Sequence, residues 1–222
     1  MISTFYQISN IADSSAREFI ETAINDFYNE VDIHLSRTSR IFNEWHLVEY
    51  GEMTLVNFLI NGILRNDETG FYNVLNEFGV VNPKDKSTGR ADLIVEEIIT
   101  KDIFYVEAKK CWSNENAPDS KSWKEENTKK DYKDIIDQAK KYLKVDFESY
   151  ENIHLNDYYA IALVFDSVKF DNSSALKKWR EYIPFENEFY AFKTYEHSKK
   201  IIGAACYGMI EKITLKPEIT TK

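Results

Sequence analysis

A chain of 222 residues with 43% hydrophobic and 14% aromatic content carries enough apolar surface for one sizeable core, and its composition excludes a disordered chain. Two cysteines, Cys111 and Cys206, and four histidines, His34, His46, His154 and His197, occur without paired ligand spacing, which argues against a disulfide framework or a structural zinc site. The net charge of −9 weighs against binding nucleic acid by bulk electrostatics, but residues 121–144 carry eight Lys against five Asp or Glu, so an anionic partner would meet the middle of the chain.

With 7 Gly, 4 Pro and no repeat or linker, a single domain over 1–222 is expected. The N-terminus has neither a basic nor an apolar leader pattern, and the longest apolar runs, at 158–165 and 201–210, fall short of the ~20 residues a membrane helix needs. The expectation is a cytoplasmic protein with no membrane partner.

A helical region is predicted over about 13–65. Asp13 or Ser14 supplies an N-cap, apolar residues at 16, 19, 20, 23, 24, 27 and 28 form one stripe, and a second apolar helix over 44–64 is broken or started near Gly51. A third, short helix is predicted around "GFYNVLNEF". The period then changes: "ADLIVEE" and "DIFYVEAKK" read as two strands joined by a turn at "TKD". Residues 111–130 read as a long loop leading into a helix over 131–144, with Tyr132, Ile135, Ile136, Ala139, Tyr142 and Leu143 on its apolar face. The unalternating "YYAIALVF" predicts a strand buried on both faces. A helix near "SSALKKWREYI" and strands at "NEFYAFKTYE" and "IIGAACYGMIEKI" complete an α/β fold, a mixed sheet flanked by helices.

The strand pair carries the chemistry. Side chains alternate along a strand, so Glu107 and Lys109 share a face with Ile103 and Tyr105. Pairing with "ADLIVEE" brings Asp92 onto the same face. Two carboxylates so placed repel each other, and a divalent cation removes that penalty; Mg²⁺ or Mn²⁺ suits such oxygen ligands. A lysine beside a metal-bound water orients it or stabilises charge developing on phosphorus.

Asp92, Glu107 and Lys109 resemble the D…E-x-K core of the PD-(D/E)xK nuclease superfamily, although Ala91 stands where the family has proline. The spacing of Gln138 and Tyr142 is similar to the Q-x-x-x-Y motif of its RecB-like branch. The resemblance covers about 49–165. It implies a restriction-endonuclease-like fold and metal-dependent hydrolysis of DNA. In it Asp92, Glu107 and the Ala108 carbonyl hold the metal, Lys109 organises the attacking water, and Gln138 and Tyr142 position the strand. A glutamate on an early helix is a further family element. Glu52, on the face of Val56, Leu59 and Ile63, fills it, with Glu49 the other candidate, and it supports the metal or the lysine. Many relatives act as dimers to cut two strands, so a homodimer is one expectation.

Two other readings stand beside this one: a nuclease-fold protein without activity that binds nucleic acid or protein, and a carboxylate-metal phosphatase acting on small molecules. Trp112, Lys121, Trp123 and Lys124 read as a solvated loop in preference to a base-stacking surface, and the histidines as satisfied structural residues. No G-x-S-x-G, Walker or G-x-G-x-x-G motif occurs.

Overall fold

A computed structural model describes residues 2–38, 50–67, 70–81, 88–111, 134, 136–137, 157–170, 188–197 and 200–213. In chain order these form β1 (Ile2–Ser9), α1 (Ser14–Thr38), α2 (Glu52–Asn66), β2 (Tyr72–Val81), β3 (Thr88–Glu97), β4 (Ile103–Cys111), β5 (Tyr158–Phe170), β6 (Phe189–His197) and β7 (Lys200–Ile213). The strands make one seven-stranded mixed sheet in the order β1-β6-β7-β5-β4-β3-β2. Among the described residues β4 and β5 pair in parallel, and the other neighbours pair antiparallel.

The Asp13 carboxylate accepts a hydrogen bond from the Ala16 N–H at 3.1 Å and so caps α1. Ala16, Phe19, Ile20, Ala23, Ile24, Phe27, Tyr28, Val31 and Leu35 are all buried, the single stripe that the 3.6-residue period demands. Leu55, Val56, Leu59, Ile60 and Ile63 do the same for α2. The two helices approach closely at Gly62, where a Cβ would lie 2.6 Å from the Asp26 backbone carbon. Both helices pack on one face of the sheet, over Leu93, Val95, Phe104, Val106, Tyr159 and Phe165. Phe19 stacks on Phe104 with ring centroids 3.9 Å apart, and Phe104 stacks in turn on Tyr159 at 5.0 Å. Burial of each such ring contributes about 1.5–3 kcal/mol.

The opposite face gathers Ile94, Tyr105, Tyr158, Ala160, Ala162, Val164 and Tyr207, with Ile136 packed among them. Polar ties anchor α1 to the sheet. The Tyr28 hydroxyl lies 3.0 Å from the carbonyls of both Ala191 and Ala204, and Lys193 pairs with Asp32 at 2.5 Å while the Tyr195 hydroxyl donates to the same carboxylate. Gly208 admits β7 to β5: a Cβ there would lie 1.9 Å from the Ala162 carbonyl oxygen.

Several expected elements stand as read, including the α1 stripe, the start of α2 after Gly51, and strands β3 to β7. One expectation needs correction. "GFYNVLNEF" leads into strand β2 from Tyr72 and does not form a short helix. Its Phe71, Val74, Leu75 and Phe78 match a helical spacing, but pairing with β3 from Tyr72↔Glu97 to Val81↔Thr88 prevails, and the aromatic and β-branched residues suit a pleated surface. The chain also begins with a strand, β1, which pairs with β6 along its full length. The helix expected over 131–144 is described only at Asp134, Ile136 and Asp137, and the helix expected near 173–183 and the loop of Trp112, Lys121, Trp123 and Lys124 lie outside the described residues. Among the described residues no helix is long and apolar enough to cross a membrane.

Candidate active site

The turn between β3 and β4 closes with Lys101 in the left-handed region, at φ 65°, and from there the two strands pair from Glu96↔Ile103 to Leu93↔Val106. There the ladder stops, although β3 runs back to Thr88 and β4 runs on to Cys111. The sheet therefore forks: β3 continues with β2, β4 continues with β5, and the edge of β4 beyond Val106 loses its strand partner on one side.

Two carboxylates replace that partner. Asp92 Oδ2 accepts a hydrogen bond from the Ala108 N–H at 2.8 Å, and Glu52 Oε2, from the first turn of α2, accepts one from the Lys110 N–H at 2.9 Å. N–H groups two residues apart in a strand point to the same edge, so both bonds lie in the fork. The Glu107 carboxylate accepts in return from the Asp92 N–H. The Asp92 side chain is thus bound to the Ala108 N–H and the Glu107 side chain to the Asp92 N–H, at the level where the next ladder pair would have formed.

Lys109 Nζ stands between two acids, 3.7 Å from Glu52 Oε1 and 3.8 Å from Glu107 Oε1. Its side chain is 47% exposed while that of Glu107 is 5% exposed, so a buried acid lies beneath an amine that an incoming molecule can reach. Burial pushes the Glu107 carboxyl up from its ordinary 4.5 to about 7. The Asp92 carboxylate adds to that rise, the Lys109 ammonium and the Asp92 N–H oppose it, and Glu52 contributes a smaller increase.

Of the residues singled out in the sequence, the fold brings Asp92, Glu107, Lys109 and Glu52 together. Glu49, Gln138 and Tyr142 lie outside the described residues, as do His46 and His154. Ala108 is fully buried and, because the N–H and C=O of a strand residue face the same edge, its carbonyl also opens into the fork. Among the described residues no three His, Cys, Asp or Glu side chains converge in a group that could hold a metal. From the described residues, a metal here would draw on two carboxylates and a backbone oxygen.

Sequence reasoning did not single out Lys110 or Tyr50. The Lys110 ammonium donates to the Tyr50 carbonyl, one residue before Gly51 and the start of α2. Burial lowers the pKa of Lys110, and the Asp166 carboxylate opposes that. The Tyr50 hydroxyl lies 2.6 Å from His34 Nε2 on α1, and His34 packs its ring against Tyr50 and Phe58. The available signal was the alternation itself, which sends Lys110 to the helix side of β4, where a lysine needs a partner.

Comparison of the chain with family models, with curated proteins and with solved structures gives no match.

Proposed function

We propose that the protein is a Mg²⁺- or Mn²⁺-dependent deoxyribonuclease of the PD-(D/E)xK type, with a restriction-endonuclease-like fold. The observation that carries this reading is the pairing of Asp92 with a buried Glu107 whose carboxyl is raised to about 7, next to the accessible Lys109 ammonium. Like-charged acids in a fork are costly, and a divalent cation offsets that cost while taking oxygen donors from Asp92, Glu107 and the Ala108 carbonyl. That donor set is hard, oxygen-only and small, which suits a magnesium ion that keeps several waters.

When bound, the metal supplies Lewis acidity toward a phosphodiester and lowers the pKa of a coordinated water. The chain's own residues do the rest. Asp92 is fixed by the Ala108 N–H, so its carboxylate is held before substrate arrives. Lys109 donates to the attacking water and to the oxygen that gains charge on phosphorus. Glu52 holds the lysine in position through its 3.7 Å ion pair. Gln138 and Tyr142 position the nucleic-acid strand in this reading, and a homodimer would present two such sites to a duplex.

A second reading, a nuclease-fold module that binds without cutting, draws on the net charge of −9 and on the lack, among the described residues, of a three-side-chain metal group. Digestion of single-stranded and duplex DNA with Mg²⁺ or Mn²⁺, comparing the parent with Asp92→Asn purified identically, separates the two. Cleavage by the parent alone supports the nuclease. Retention of DNA without cleavage or metal dependence supports the binding module, and equal cleavage by both proteins would expose a contaminant.

A further inference from the structure

We infer that Lys110 is a positioning residue for the site: by binding the Tyr50 carbonyl it fastens the start of α2 to β4, and so delivers Glu52 to Lys109. The inference rests on the nuclease reading for its consequence to catalysis, but its geometry stands apart from that reading.

Two consecutive lysines leave β4 on opposite faces. Lys109 turns toward Glu107, whereas Lys110 crosses to the helix side, where its ammonium donates to Tyr50. The same residue's backbone N–H donates to Glu52 Oε2 at 2.9 Å. Lys110 thus grips both the residue before Gly51 and the first residue of α2, and the other oxygen of Glu52 faces Lys109 at 3.7 Å. The N-cap position of α2 is Gly51, which makes no side-chain cap, so the helix start gains its attachment from β4. Tyr50 is held from the other side by His34 on α1 and by ring contact with Phe58. The Lys110 ammonium therefore joins β4 to an entry point that α1 also grips. A side chain lacking the ammonium keeps the backbone bond to Glu52 but leaves the Tyr50 carbonyl without its tie to β4, so the helix start can shift with α1 and draw Glu52 Oε1 away from Lys109.

The test reads Lys109 directly. The folded parent, Glu52→Ala, Lys110→Met, Lys110→Arg and the double variant Glu52→Ala/Lys110→Met are labelled briefly with an amine-selective acylating reagent, and Lys109 modification is followed by peptide mass spectrometry. Lys110→Met is expected to raise Lys109 labelling by about threefold, the worth of a half-exposed ion pair, and to match Glu52→Ala. The double variant should show no further rise, and Lys110→Arg, which retains a donor for Tyr50, should return toward the parent. In metal-dependent DNA cleavage Lys110→Met should be slower by about tenfold.

Parent-like Lys109 labelling in Lys110→Met, a further rise in the double variant, or no rise in Glu52→Ala would each overturn the inference. If Lys110→Met loses the native circular dichroism spectrum, Lys110→Gln, which fills the space but is too short to span to Tyr50, takes its place. A parent that does not cleave DNA would sink the nuclease reading while leaving the labelling result to decide the role of Lys110.

Discussion

Asp92 Oδ2 lies 2.8 Å from the Ala108 amide nitrogen, one step beyond the point where β3 and β4 cease to pair. An asparagine at this position keeps an acceptor for the Ala108 N–H, so Asp92→Asn removes charge with little change of shape. Cleavage should be abolished while the melting temperature stays near the parent value. The loss of the neighbouring anion should also bring the Glu107 titration midpoint below about 7, observable by carboxyl carbon NMR without metal. An unchanged midpoint would mean that Asp92 does not act on Glu107.

Lys109→Ala separates binding from chemistry. The residue touches Glu52 and Glu107 but supplies no oxygen to a metal. Removing an electrostatic donor of this kind lowers turnover by roughly 100–1,000-fold. Mn²⁺ affinity, followed by calorimetry, should stay within about threefold, the worth of one partly exposed ion pair. A variant that no longer binds Mn²⁺ would contradict the division of roles.

The raised pKa of Glu107 fixes a pH dependence with a definite sign. Between about pH 4.5 and about pH 7 the unfolded chain has ionised this carboxyl while the folded chain still holds its proton. Its contribution to stability is therefore complete below pH 4.5 and is lost as pH rises through 7. Urea titrations of metal-free protein across that window should show this loss, and Glu107→Gln should remove it. Since metal binding requires the ionised form, cleavage should rise over the same interval.

Gly62 tests the packing of the helices. Replacement by Ala improves intrinsic helix propensity by up to about 1 kcal/mol, yet the new methyl would lie 2.6 Å from the Asp26 carbonyl group, where only backbone can yield. A net loss of about 1–3 kcal/mol in chemical denaturation is expected. A gain in stability would show that α1 and α2 can separate at no cost.

Much of this arrangement was legible in the sequence because it rests on local periodicity. The α1 stripe, the alternation that joins Glu107 to Lys109, and the placement of Glu52 at the start of a helix each follow from spacing alone. The fork was not legible. Nothing within "ADLIVEE" or "DIFYVEAKK" marks the residue at which two strands part, because the parting depends on what β3 gains from β2 and what β4 gains from α2. The bond from Lys110 to Glu52 spans 58 positions, and its donor is a backbone amide, which every residue but proline has. β2 departs from the expected helix because Phe71, Val74 and Leu75 match a helical spacing over too short a run to decide, and the partner strand decides instead.

Because the sheet forks, the backbone of β4 acts as a gauge for its acids. The amides of Ala108 and Lys110, which hold Asp92 and Glu52, are one strand repeat apart, about 6.6 Å. Two oxygens on one magnesium ion, at about 2.1 Å each, can be no more than about 4.2 Å from each other. While each oxygen lies in line with its amide, the two keep that spacing and not the shorter one that a single ion needs. Asp92 is left to pair with Glu107, and Glu52 to hold the lysine.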